Sequence, residues 1–159
     1  MMCIRCAPEM AEVRIQVVRR EKQEERTTVM SKLVMIIDDS LTVRKILETT
    51  LKREGFASES YPDGIEALRA LSQRGHPVPD LVILDICLPK MDGYEVARHL
   101  KTKHQFGNTT IIMLSKRDGV IDRLKGRLAG AKDYIIKPFR TQDVMSVVHE
   151  HLSTRAVGR

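Results

Sequence analysis

The sequence predicts one doubly wound α/β domain, a parallel five-stranded sheet with five helices on its two faces. Three observations predict it. Short apolar runs recur without polar alternation, which marks strands buried on both faces of a parallel sheet. Longer segments of helical period lie between them. The two kinds alternate strictly from Lys32 onward, and right-handed crossovers between parallel strands then place helices on both faces.

Leu33 to Ile37 (LVMII) is the first strand, and Val43, Ile46, Leu47 and Leu51 give the first helix. A weaker run, Ala57 to Tyr61, is the second strand. Asp63 and Glu66 have the spacing of an N-cap and its N3 partner, so a helix carrying Ile65, Leu68 and Leu71 starts there. Leu81 to Leu84 (LVIL) is the third strand, and the Asp92 and Glu95 pair starts the third helix. Ile111 to Leu114 (IIML) is the fourth strand, succeeded by a helix with Ile121, Leu124 and Leu128. Tyr134 to Ile136 is the fifth strand, and Val144, Val147, Val148 and Leu152 mark the last helix.

At 159 residues, with 42% hydrophobic and 30% charged residues, the chain suits one soluble domain plus an extension. The expected division is 1–31 as an N-terminal extension, 32–152 as the domain and 153–159 as a tail. Residues Arg19 to Arg26 (RREKQEER) have little to bury, and the natural start is expected at Met30. Three cysteines, Cys3, Cys6 and Cys87, form no disulfide framework, which favours a reducing cytoplasm. Cys3-x-x-Cys6 supplies half a zinc site with no second half, so zinc is not expected. No apolar run approaches the roughly 18 residues of a membrane span, and no membrane insertion is expected.

The residues at the strand exits carry the chemistry. The first strand ends in Asp38 and Asp39, the third in Asp85, the fourth in Ser115 and the fifth in Lys137. All are carboxyl ends of parallel strands, where open α/β sheets place their sites. Three carboxylates converging on one crevice repel one another unless a cation joins them, and an oxygen-rich pocket suits Mg²⁺. An aspartate can itself accept a phosphoryl group, with Lys137 and Ser115 as the groups that stabilise the transferring oxygens. A haloacid dehalogenase type phosphohydrolase also uses an Asp nucleophile, but it needs an Asp-x-Asp at the first strand's end, where this chain has adjacent Asp38 and Asp39, and Cys87 stands two residues after Asp85.

These motifs, IIDDS, LVILDICLPKMDG, IIMLS and GAKDYIIKPF, resemble those of the receiver domain of bacterial two-component response regulators, over about three quarters of the chain. The resemblance implies a flavodoxin-like, CheY-like fold with strand order 2-1-3-4-5, and a phosphoacceptor protein rather than an enzyme. It implies Asp85 as acceptor, Asp39 with Asp38 and the Cys87 backbone carbonyl around Mg²⁺, and Lys137 on the phosphoryl oxygens, with Lys137-Pro138 cis. Ser115 and Tyr134 stand where receivers carry their switch hydroxyl and switch aromatic. Lys116 and Arg117 replace the usual surroundings of the switch hydroxyl, and we expect them to shield the phosphoryl group and lengthen its lifetime.

The stretch Ser115 to Tyr134 resembles PilG-type receivers of twitching motility and related chemotaxis-like systems. A sensor or chemotaxis-type histidine kinase, or a phosphotransfer domain, is the implied donor. Only Ser153 to Arg159 lie beyond the last helix, too short for a DNA-binding helix pair, so output by protein docking is expected, not direct DNA binding. A phosphorylation-independent interaction module is the alternative. Of the formal net charge of +6, residues 116–132 carry +4. Arg123, Lys125, Arg127 and Lys132 there form the expected output face, toward an acidic site on a partner.

Overall fold

Four apolar runs and one more polar segment, each too short to be a helix, pair side by side and bury their backbone groups in one sheet. In the computed structural model, which describes residues 31–116 and 119–153, the order of elements is β1 (Leu33–Ile37), α1 (Leu41–Arg53), β2 (Ala57–Tyr61), α2 (Gly64–Leu71), β3 (Leu81–Asp85), α3 (Gly93–Thr102), a 3-10 turn (His104–Phe106), β4 (Thr110–Ser115), α4 (Val120–Leu128), β5 (Asp133–Ile136) and α5 (Thr141–Ser153). All four strand pairings are parallel, and the sheet order is β2-β1-β3-β4-β5. The order reverses between β1 and β3, so a crevice opens beyond their carboxyl ends.

The continuous apolar runs of β1, β3 and β4 are buried on both faces, whereas the edge strands β2 and β5 are half-buried throughout. Alternate residues feed two cores. Met35, Ile37, Val82, Leu84, Ile111 and Met113 pack with Ala67 and Leu71 of α2 and with Val96, Ala97 and Leu100 of α3. Val34, Ile36, Leu81, Ile83, Ile112 and Leu114 pack with Leu47 and Leu51 of α1 and with Val144, Val148 and Leu152 of α5. Each fully buried aliphatic side chain contributes on the order of 1.5–3 kcal/mol. Phe106, in the 3-10 turn that the periodicity does not announce, is also fully buried.

The caps are those the sequence indicates. Asp63 accepts from Glu66 N, and Asp92 with Glu95 forms a complete capping box. One helix departs from its pattern. Ile121, Leu124 and Leu128 of α4 have helical spacing, yet they are 69%, 55% and 79% exposed, and Val120 joins them at 83%. Gly126 is the residue of α4 that is buried, and Ala129 just beyond it is buried too. A Cβ at Gly126 would stand 3.1 Å from Met113 Sδ and 3.4 Å from the Tyr134 ring. The small residues let α4 lie close on the sheet, and its apolar stripe turns to solvent. Ile46 of α1 and Ile65 of α2 are likewise partly exposed, at 45% and 37%.

The expected tail of 153–159 loses its first residue to α5, which runs through Ser153. The expectations about the N-terminal extension, Cys3 and Cys6, a start at Met30, Arg117 and residues 154–159 concern residues outside those described. Among the described residues no helix is long and apolar enough to cross a membrane.

Candidate functional site

The β1 exit is built by a tight turn. Asp38 N donates to Tyr61 O (3.2 Å), extending the β1–β2 ladder by one residue. The Asp38 carboxylate then accepts from Ser40 N through Oδ1 (2.9 Å), and Ser40 caps α1 by accepting from Val43 N (3.4 Å). Arg44, one turn into α1, donates to Asp38 O (2.6 Å) and Asp39 O (3.3 Å). Asp38 is thereby held inward and buried, while Asp39 is exposed.

Asp85 ends β3 beside this turn. Its Oδ1 accepts from Cys87 N (3.2 Å), and the adjoining loop folds back so that Gly93 N donates to Ile86 O (3.0 Å). A Cβ at Gly93 would press on Asp85 O and stand 2.8 Å from Ile86 Cα, so only glycine permits this approach. Asp38, Asp39 and Asp85 each offer a carboxylate oxygen within 4.8 Å of the others.

Lys137 reaches into the cluster from the end of β5. Its Nζ donates to Asp38 Oδ2 (2.6 Å) and lies 3.0 Å from Asp85 Oδ2. Its N donates to Ser115 O (2.6 Å), which ties the β4 and β5 exits together, and the Lys137-Pro138 bond is cis. Ser115 is fully buried.

Burial raises the Asp38 pKa above the usual carboxylate value, because the cost of charging it in the interior exceeds what Lys137 and the Ser40 N–H return. For Lys137 burial works the other way, but its bonds to Asp38 and Asp85 outweigh it and hold the ammonium above its usual pKa. The two directions agree: Lys137 is favoured because Asp38 and Asp85 share it, and Asp38 is penalised chiefly by its own burial. Among the described residues three carboxylates face the one ammonium of Lys137, which leaves negative charge uncompensated, and their all-oxygen donor set, open to solvent at Asp39, fits a hard divalent cation.

The remaining predicted residues lie to one side. Tyr134 on β5 packs against the core that holds Met113, its ring beside Gly126 and under Arg123, whose guanidinium carbon is 6.0 Å from the ring centroid. Tyr94 hydrogen-bonds with Tyr134 and donates to Asp122 O (3.3 Å). Burial, with Tyr134 and Asp122 beside it, pushes the Tyr94 hydroxyl well above its ordinary pKa. Arg123, Arg127 and Lys132 line a small cavity of about 90 Å³ beneath α4, and Lys125 sits on the other side of the helix. Lys116 is exposed.

The structure therefore gathers Asp38, Asp39, Asp85 and Lys137 at one point, brings Cys87 to it through a main-chain N–H and Ser115 through the Lys137 backbone. Arg44, Ser40 and Gly93 support the site although sequence reasoning did not single them out. The glycine in the PKMDG run was the available signal for Gly93, whereas Arg44 stands out only once α1 begins at Leu41.

The profile of the family described as response regulator receiver domain matches residues 34–149. Protein PilG of Pseudomonas aeruginosa is 36% identical over 119 residues, covering 75% of this chain and 86% of that protein. Among solved structures, the chemotaxis response regulator CheY4 of Vibrio cholerae superposes with a TM-score of 0.70 at 28% identity, covering 77% of this chain and 99% of CheY4. The signal receiver domain of a signal transduction histidine kinase from Syntrophus aciditrophicus gives 0.72 at 31% identity, covering 81% and 96% respectively.

Proposed function

Because the chain belongs to the response regulator receiver domain family, we propose that it is a phosphoacceptor switch that takes a phosphoryl group on Asp85 and reports it by protein docking. One observation carries the reading: the Asp85 carboxylate is held at a strand end with Lys137 Nζ at 3.0 Å and two further carboxylates within 4.8 Å.

A carboxylate oxygen of Asp85 attacks the phosphorus of a phosphohistidine protonated on its other ring nitrogen, the phosphorus–nitrogen bond breaks with its electron pair going to the ring, and neutral imidazole leaves. Asp39, Asp38, Asp85 and the Cys87 carbonyl are the groups that would hold Mg²⁺. Bound there, Mg²⁺ supplies charge neutralisation on the transferring oxygens. Lys137 already points between Asp38 and Asp85, so its ammonium is placed to bind a phosphoryl oxygen without reorganisation. The acyl phosphate adds about 1.5–2 negative charges at Asp85. Ser115 supplies the hydroxyl that moves toward them, and Tyr134, packed on Gly126, is the side chain through which β4 and β5 shift α4. Lys116, exposed beside Ser115, adds positive charge that slows loss of the phosphoryl group.

The output face is α4, β5 and α5. Its apolar stripe of Val120, Ile121, Leu124 and Leu128 is bordered by Arg123 and Arg127 on one side and Lys125 on the other, with Lys132 beyond. That arrangement supports an acidic docking site on a partner protein, in a cytoplasmic pilus, twitching or chemotaxis-like system. The 36% identity to PilG supports the pathway, and a histidine kinase or phosphotransfer domain is the donor.

The test is incubation with a small phosphodonor and Mg²⁺, then intact-mass measurement. A phosphate adduct on the wild type and none on Asp85→Asn is expected. No adduct on the wild type would overturn the proposal in favour of a phosphorylation-independent interaction module.

A further inference from the structure

The loop after Asp85 carries an unusual backbone. Lys90 has φ +68°, and Met91 N donates across it to Pro89 O (2.8 Å), so Lys90 is the centre of a γ-turn with left-handed φ. A side-chain-bearing residue is strained there unless its surroundings hold it. The group that holds it lies in another element. Lys90 Nζ donates to Asp63 Oδ2 (2.9 Å).

Asp63 is not a free surface acid. Its side chain is 6% exposed, and its Oδ1 accepts from Glu66 N (2.8 Å) as the cap of α2. One carboxylate therefore anchors the first turn of α2 and the strained turn beyond Asp85. The neighbouring Gly64 strengthens the junction, since a Cβ there would run into the Val96 side chain of α3 and stand 3.9 Å from Met91 Cβ. The α2 bonds and Lys90 hold the Asp63 carboxyl below its usual pKa, and Asp63 raises that of Lys90. Between the strapped turn and Asp85 lies the segment whose Cys87 N–H rests on the acceptor carboxylate.

We propose that the Lys90–Asp63 ion pair is a positioning device that holds the β3–α3 loop, and with it the Cys87 main chain, in register with Asp85. The inference rests on Asp85 being the acceptor. It adds a requirement outside the acidic cluster: the readiness of the site depends on α2, through a side chain 27 positions upstream of Lys90. Neither residue touches the transferring group.

The exposed thiol of Cys87 gives a readout that needs neither metal nor phosphodonor. Its alkylation rate is measured by peptide mass mapping in wild type, Lys90→Met, Asp63→Asn and the double variant, with Mg²⁺ affinity by calorimetry alongside. Asparagine retains the helix cap, and Lys90 is 61% exposed, so both variants retain the fold. Each single variant is expected to speed alkylation and weaken Mg²⁺ binding by roughly three- to tenfold, the double variant no further, and Lys90→Arg is expected to restore both. Singles within about 1.5-fold of wild type on both readouts, or a double variant equal to the product of the singles, would overturn the proposal. A wild type that takes up no phosphoryl group refutes the acceptor reading instead, and leaves the alkylation comparison to decide the strap.

Discussion

Replacing Lys137 by Met removes the cation that bridges Asp38 and Asp85. The Lys137 side chain is 12% exposed, that of Asp38 0% and that of Asp85 5%, so neither carboxylate gains water in compensation. An ion pair at about 3 Å carries roughly 5 kcal/mol of gross attraction at an effective dielectric of about 20. Part of that already offsets the cost of desolvating both partners. Breaking a buried pair by deleting one partner leaves the other charge stranded, and the net loss expected is about 3–5 kcal/mol. Urea unfolding at neutral pH in the presence of a chelator measures it. The sign with pH is determined by the two shifts. The raised Lys137 pKa means that its stabilisation is complete below the unfolded value of 10.5 and is lost as pH rises through the folded value, so the wild type keeps its advantage throughout the neutral range. The raised Asp38 pKa means that Asp38 becomes neutral earlier on acidification than a free carboxyl, so the penalty in the variant shrinks as pH falls toward that value. A loss under about 1 kcal/mol at neutral pH in chelator would refute the reasoning, since it would place the pair in the range of solvated surface pairs.

The same geometry sets three further outcomes. Gly93→Ala would force a Cβ against Asp85 O and Ile86 Cα, both backbone atoms that cannot swing away, and thermal unfolding should show a loss at or above the top of the ~1–3 kcal/mol range for overpacking. Leu124→Glu and Leu128→Glu should change stability by less than about 0.5 kcal/mol, because both side chains are exposed; Leu47→Ala, fully buried, should cost about 2–5 kcal/mol in the same assay. The lowered Asp63 pKa contributes stability that is present above the unfolded value of 3.8 and lost as pH falls through the folded value. The stability difference between wild type and Asp63→Asn should therefore be constant near neutrality and disappear on acidification below about pH 4, as monitored by circular dichroism.

Much of the site is legible in the chain because its residues sit at the ends of elements that local pattern alone defines. LVMII, LVIL and IIML are strands on composition, and the residue after each is placed at the carboxyl edge whatever the packing. The same holds for Asp63 and Asp92, whose capping depends only on the next three residues. The Lys90–Asp63 pair has no such signature. It joins residues in different βα loops, and nothing in either neighbourhood indicates the other.

The α4 helix shows where local pattern stops. Ile121, Leu124 and Leu128 have the period of a core-facing stripe, but a period states which residues share a face and not where that face points. The direction is decided by the fit to Met113 and Tyr134, which leaves room for Gly126 and Ala129 and not for leucine. By itself the sequence determined the alternation of strands and helices, their caps, and the acids and lysine at the strand ends, because each depends on neighbours along the chain. Tertiary structure alone decided that Lys137 lies between Asp38 and Asp85, that Asp38 is buried and Asp39 exposed, and that the apolar stripe of α4 faces solvent. Those outcomes depend on which strands become neighbours and how closely helices approach them, and pairing across the sheet is encoded in no single segment.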